Sequence, residues 1–199
     1  MSMVLGITGG IATGKSTVVN FLRQHGFPIV DGDVIAREVV EPNTLGLATI
    51  VDTFGVDILQ ENGTLNRKKL GALVFSDEQK REQLNAILGP IIRLEILRQI
   101  DNYKSRSSLV IADIPLLFES HYEDVMDQVA VVYVPEEIQE QRLMARDQLT
   151  KEEAQQRIKS QMPIEEKKQL ADVVFDNQGS QLETQQQVEK WLKEHHFLK

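Results

Sequence analysis

Gly9-Gly10-Ile11-Ala12-Thr13-Gly14-Lys15-Ser16-Thr17 is the stretch that decides the fold. The apolar run Val4-Leu5-Gly6-Ile7-Thr8 precedes it, and Val18-Val19-Asn20-Phe21-Leu22 follows with the look of a helix. Strand, glycine turn and helix, with G-x-x-x-x-G-K-[ST] spacing, make a loop that wraps a polyphosphate. Gly9 and Gly14 allow a tight backbone whose N–H groups face the anion. The new helix directs its positive end at the same point. Lys15 adds a point charge for the outer phosphates, and the Ser16 hydroxyl suits Mg²⁺. The whole loop, Gly9 through Thr17, is therefore the expected seat of a nucleoside triphosphate.

The rest of the chain is compatible with one α/β domain carrying insertions. Its 199 residues are 41% hydrophobic and 26% charged, ordinary values for a globular protein. A net charge of −8 disfavours nucleic acid backbones and anionic lipid as partners. With no cysteine, thiol catalysis and thiolate metal sites are excluded. The first apolar run enters the phosphate loop and has no basic segment before it, so it does not read as a signal peptide. No apolar run has the length of a membrane span. The expectation is a cytoplasmic protein with no nucleic acid, membrane or obligatory protein partner.

Short apolar runs alternate with helical patterns, which predicts a mostly parallel sheet covered on both faces. After Val4–Thr8 come Phe27–Val30, Leu109–Ala112, Val129–Val134 and Val173–Phe175. Between the second and third runs, helices are expected over Asp33–Val40 and Asn43–Phe54. A capping box at Ser76-Asp77-Glu78-Gln79 should open a further helix reaching Gly89-Pro90, with Pro90 starting the next. This block is too long for a simple crossover and reads as an insertion that holds something. A second charged helical stretch, Glu136 to Leu170, carries a capping box at Thr150-Lys151-Glu152-Glu153 and a break at Pro163. The C-terminal Gln181–His195 reads as an amphipathic helix with Trp191 in the core.

Ligands in such sheets bind beyond the carboxyl ends of the strands. Asp31 and Asp33 follow the second run, and Asp113 follows the third. Phosphoryl transfer needs an oxygen-ligated metal and a group that orients the attacking hydroxyl, and carboxylates there suit both. Asp31 or Asp33 equally suits the cap of the following helix. Asp113 suits metal-bound water as well as metal. Arg142 and Arg146, four apart, share a helix face. They suit charge on a transferred phosphoryl group, although ion pairs with Glu140 and Asp147 are the plainer reading. The four histidines are scattered without metal spacing. Asp176-Asn177-Gln178-Gly179 reads as a strand-to-turn junction.

The loop Gly9–Thr17, the segments DGDVIARE (31–38), PLLFE (115–119), QRLMARD (141–147) and AQQRIKSQMP (154–163), and DNQG (176–179) together resemble the dephospho-CoA kinase family. The match is collinear over nearly the whole chain. The resemblance implies a P-loop kinase fold, with a five-stranded parallel sheet flanked by helices, a helical substrate-binding insertion and a helical lid. It implies a core of about 1–32, 107–135 and 172–199, an insertion of about 33–106 and a lid of about 136–171. The implied reaction is ATP-dependent phosphorylation of the ribose 3′-hydroxyl of dephospho-CoA, the last step of coenzyme A synthesis, with Mg²⁺. Lys15, Asp33 and Arg142 would be catalytic, with Asp33 orienting the hydroxyl. Arg142 and Arg146 would meet the triphosphate from the lid. Thr8, Asp33, Arg93, Leu116 and Glu119 would contact the acceptor, with Ser16 on the metal and Asp31, Asp33 and Asp113 around it.

The chain departs from the family pattern in the loop and in the insertion. Ala12 stands where glycine is usual and is expected to take an angle that tolerates a Cβ. Leu84–Arg93 reads LNAILGPIIR, with Gly89 where the family often has histidine, so any contact from that side chain is lost. Another nucleoside or nucleotide kinase of the same architecture is the nearest alternative. A nucleotide-gated switch is more distant, since no N-K-x-D guanine reader is present.

Overall fold

The computed structural model describes residues 2–199. It divides into two compact units: residues up to Val30 together with Ile100–Lys199, and Asp31–Gln99.

The first unit is built on β1 (Met3–Gly9), β2 (Ile29–Asp31), β3 (Leu109–Asp113), β4 (Gln128–Tyr133) and β5 (Val173–Asp176). They form one parallel sheet in the order β2-β3-β1-β4-β5. In the central strand Ile7 stands opposite Asp113 on β3 and Ala130 on β4. Ile7 is fully buried, and strands covered on both faces of the sheet read as apolar runs without alternation, as β1, β3 and β4 do. The chain leaves β1 toward β2 and leaves β3 toward β4, in opposite directions along the sheet. The crevice between the carboxyl ends of β1 and β3 is therefore a topological switch point, where such sheets bind ligands.

Helices α1 (Lys15–Gln24) and α9 (Gln181–Glu194) cover one face. Val18, Val19 and Leu22 of α1 pack with Val188, Trp191 and Leu192 of α9 on Leu5, Ile7, Ile111 and Val132 of the sheet. Trp191 is core, as expected from its spacing. Ser180 caps α9 with Glu183 in a reciprocal box that the sequence reading passed over. On the other side of β1, a Cβ on Gly6 would stand 2.7 Å from Leu117.

After β4 come α6 (Glu136–Asp147), α7 (Lys151–Lys159) and α8 (Ile164–Leu170). The expected box at Thr150 and Glu153 caps α7, and α8 starts directly after Pro163. Helices α6 and α7 share a small core of Leu143, Ala154 and Ile158, against which Ile11 and Ala12 pack. Across the pair, Glu140 accepts from Gln155 at 2.8 Å and pairs with Lys151. Tyr133 holds α8 to the sheet: its hydroxyl donates to Glu165 Oε1 at 2.6 Å, and Lys168 lies 3.9 Å over its ring.

The second unit contains α2 (Gly32–Glu38), α3 (Leu45–Phe54), α4 (Arg67–Phe75) and most of α5 (Glu78–Lys104). Two expectations fail here. The helices expected on either side of Gly89-Pro90 are one continuous helix with Pro90 inside it. Proline withdraws only the hydrogen bond to Ala86, and the residue before it has no Cβ to clash with the ring. Ser76 does not open α5: its hydroxyl donates back to Ala72, and Asp77 accepts from the Lys80 N–H instead. Helix α4 went unread because its apolar pattern is faint and Leu70 is its one buried residue.

Candidate active site

The phosphate loop leaves the end of β1 and turns back into α1 through two residues with left-handed backbone, Ala12 (φ 62°) and Gly14 (φ 85°). The expectation that Ala12 would take a comfortable angle is thus corrected, and holding an L-residue there costs about 1 kcal/mol. At Gly14 a Cβ would run into the side-chain amide of Asn177.

Thr13 is fully buried, with its hydroxyl donating to the Gly10 carbonyl at 2.9 Å and its N–H to the same oxygen. The Ile11 N–H donates to Gln161 Oε1 at 2.8 Å. Among the described residues, the N–H groups of Ala12, Gly14, Lys15 and Ser16 meet no protein acceptor. These four open donors at a helix N-terminus are what an anion needs. The Ser16 side chain is exposed in the first turn of α1.

Lys15 reaches across the switch point and pairs with the carboxylate of Asp113, which is buried at the end of β3. The loop thus holds a positive charge beside the place where phosphate charge would collect, and Asp113 keeps it there. Arg142 of α6 donates to the Asn177 carbonyl at 2.9 Å, which brings it to the loop through an intermediary. Asn177 itself donates from its side chain to the Thr13 carbonyl at 2.7 Å and accepts from Thr184 at 2.7 Å. The segment expected to be a plain strand-to-turn junction is therefore a brace under the phosphate loop. Its position directly beyond the carboxyl end of β5 was the available signal.

Arg146 points elsewhere. Its guanidinium forks onto Asp147 at 2.7 and 3.1 Å, and Arg157 shares the same carboxylate. The Arg146 hydrogen bond is the main cause holding the Asp147 carboxyl below its usual range.

Thr8, expected to contact an acceptor, has its hydroxyl engaged within the protein. It is fully buried, and its hydroxyl donates to the Pro115 carbonyl at 2.8 Å, pinning the 115–119 segment to β1. In that segment Leu116 is exposed, and Glu119 Oε1 accepts from the Met162 N–H at 3.0 Å.

In the second unit, Asp31 is the cap of α2, accepting from the N–H groups of Asp33 and Val34 at 3.0 Å each. Asp33 is exposed in the first helical turn, and its carboxylate makes no hydrogen bond or ion pair among the described residues. Of the two, Asp31 takes the capping position and Asp33 does not. Arg93 is half-buried on α5.

The sequence model for dephospho-CoA kinase matches residues 3–183. A dephospho-CoA kinase of Enterococcus faecalis is 65% identical over 194 residues, 98% of each chain. One from Shouchella clausii is 51% identical over 94% of this chain and 95% of its own. The solved dephospho-CoA kinase of Campylobacter jejuni superposes with a TM-score of 0.78 at 34% identity, covering 98% of both chains. With a phosphate loop open at the switch point and matches of this extent, the chain belongs to the dephospho-CoA kinase family.

Proposed function

We propose that this chain transfers the γ-phosphoryl group of ATP to the ribose 3′-hydroxyl of dephospho-CoA, with Asp33 orienting the hydroxyl and Arg142 meeting the triphosphate. Phosphorylation of dephospho-CoA in coenzyme A biosynthesis is the activity of the family to which it belongs. The observation that carries the residue-level reading is the set of open N–H groups at Ala12, Gly14, Lys15 and Ser16.

The transition state of phosphoryl transfer is loose, so positioning and charge neutralisation matter more than a strong base. The loop N–H groups and Lys15 would take the β- and γ-phosphate charge. As phosphate arrives, the ammonium is shared between it and Asp113. An aspartate serves to hold the acceptor hydroxyl in line and receive its proton, and the open carboxylate of Asp33 supports that role. Mg²⁺ suits a site with one serine hydroxyl, Ser16, since this ion takes few protein ligands and completes its shell with phosphate and water. Asp113 would be the carboxylate to hold a water of such an ion, and the ion would supply neutralisation of phosphate charge.

The insertion of about 33–106 is proposed to hold the CoA-like acceptor, with Arg93 on its phosphate, and Leu116 and Glu119 are proposed as further acceptor contacts. The stretch of about 136–171 is proposed as the lid, in which α6 and α7 carry Arg142 on a core of their own. For Arg146 to join the triphosphate it must leave Asp147. No helix among the described residues is long and apolar enough to cross a membrane, and a cytoplasmic location is proposed.

The test is to incubate the protein with Mg-ATP and dephospho-CoA, adenosine, AMP or shikimate, and to measure ADP. Transfer to dephospho-CoA with little to the others is expected. Release of ADP regardless of acceptor contradicts the proposal and favours a nucleotide-gated switch. In the same assay Lys15→Ala should lose about a hundredfold or more in turnover.

A further inference from the structure

Lys167 of α8 is fully buried, the one lysine or arginine among the described residues that is. Its ammonium pairs with Glu119 Oε1 at 2.8 Å, donates to the Pro115 carbonyl at 3.2 Å and reaches the Gly9 carbonyl at 3.4 Å. Glu119 Oε1 also accepts the Met162 N–H, while Oε2 is buried without a hydrogen-bond partner. The residue before Met162 is Gln161, whose side chain accepts the Ile11 N–H. One connected set of polar groups thus grips the phosphate loop twice, at its first carbonyl and at its third N–H.

A buried ion pair is an expensive way to fill space, since apolar side chains of similar volume do so without desolvating two charges. What an apolar pair cannot do is direct donors at carbonyl oxygens. The ammonium engages the Gly9 carbonyl, which keeps that oxygen from facing an incoming anion. Gln161 occupies the N–H of Ile11, so the donors left open are those of Ala12, Gly14, Lys15 and Ser16.

We infer that Lys167, with Glu119 and Gln161, is a positioning residue that presets the phosphate loop for nucleotide before it arrives. The inference rests on the reading of that loop as the ATP site. None of the three needs to touch nucleotide for this. Each acts through the backbone of residues 9–11.

The test uses the full-length protein and measures ADP binding by calorimetry without acceptor, beside melting temperature. Lys167→Met combined with Glu119→Leu removes both charges at once and avoids stranding either one. The double variant should weaken ADP binding by about tenfold or more and lower kcat. Gln161→Met leaves the ion pair intact. It should weaken ADP binding by about three- to tenfold with the melting temperature unchanged, and it decides the matter if the double variant does not fold. Binding within about twofold of the parent in the folded variants overturns the inference. That result leaves phosphorylation of dephospho-CoA standing. A parent that binds ADP tightly, loses it in the variants and phosphorylates no acceptor supports the inference and removes the proposed reaction.

Discussion

The side-chain amide of Asn177 donates to the carbonyl of Thr13 at 2.7 Å, joining the end of β5 to the phosphate loop across 164 residues of chain. Its oxygen accepts from Thr184 of α9, its own N–H donates to the Tyr133 carbonyl, and its carbonyl takes Arg142. One buried residue therefore fixes the loop, the end of β4 and Arg142 of α6 together.

Asn177→Ala should accordingly cost both stability and nucleotide affinity. Two buried hydrogen bonds are lost, worth about 2 kcal/mol together. In a chain of this size that lowers the melting temperature by about 4–8 °C. The KM for ATP should rise about tenfold, because the Thr13 peptide loses its anchor next to Gly14. A variant that melts early but keeps its KM for ATP would limit Asn177 to a packing role.

Gly14 and Ala12 both have positive φ, yet they should respond differently to exchange. Gly14→Ala adds strain of about 1–2 kcal/mol and drives a methyl into the Asn177 amide, breaking the contact just described. The KM for ATP should rise at least as far as in Asn177→Ala. Ala12→Gly relieves comparable strain but loosens the unfolded chain and removes a methyl from the Leu143, Ala154 and Ile158 cluster. These effects offset, so its stability should stay within about 1 kcal/mol of the parent. Denaturant titration of both variants separates them.

The strands were legible in the sequence because a strand buried on both faces has to be apolar throughout, as Leu109-Val110-Ile111-Ala112 is. The phosphate loop was legible because its demands are local: glycine at a left-handed turn, then lysine, then a hydroxyl. The groups that brace the loop were not. Lys167 lies in the run Glu165-Glu166-Lys167-Lys168, which reads as a solvated face, and it is buried only because Glu119 and the Gly9 and Pro115 carbonyls meet it. Gln161 and Asn177 have partners more than a hundred residues away, and no local spacing announces them. Pro90 misled for the opposite reason. The rule that proline ends a helix is local, and a 27-residue helix overrides one missing hydrogen bond.

Tyr133 gives the fold a dependence on alkaline pH. The hydrogen bond to Glu165, with burial adding to it, pushes the phenol pKa from 10.0 up to about 12. The protonated phenol is thus favoured more strongly in the folded protein than in the unfolded chain. Its stabilisation is full below about pH 10 and is lost as pH rises toward about 12. Tyr133→Phe keeps the ring under Lys168 but should cost about 2 kcal/mol at neutral pH. The gap between parent and variant in urea unfolding should close across that alkaline window. A gap that stays constant to the top of the window would show that the hydroxyl contributes nothing through its proton.

Asp31 and Asp33 offer the sharpest separation of structure from chemistry, because they sit two residues apart and only Asp31 accepts hydrogen bonds from the start of α2. Asp31→Ala should remove about 1 kcal/mol of capping and lower the melting temperature by about 3 °C. Asp33→Asn takes nothing from the fold, so its melting temperature should match the parent. If the Asp33 carboxylate acts on the acceptor hydroxyl in the transition state as proposed, the change should lower kcat about a hundredfold or more while the KM for ATP moves less than about threefold. Steady-state kinetics with varied ATP and varied dephospho-CoA, beside thermal melts of both variants, measure all four quantities. Normal turnover in Asp33→Asn would remove the proposed hydroxyl-orienting role from Asp33, and a larger kcat loss in Asp31→Ala than in Asp33→Asn would move that role to the cap of α2.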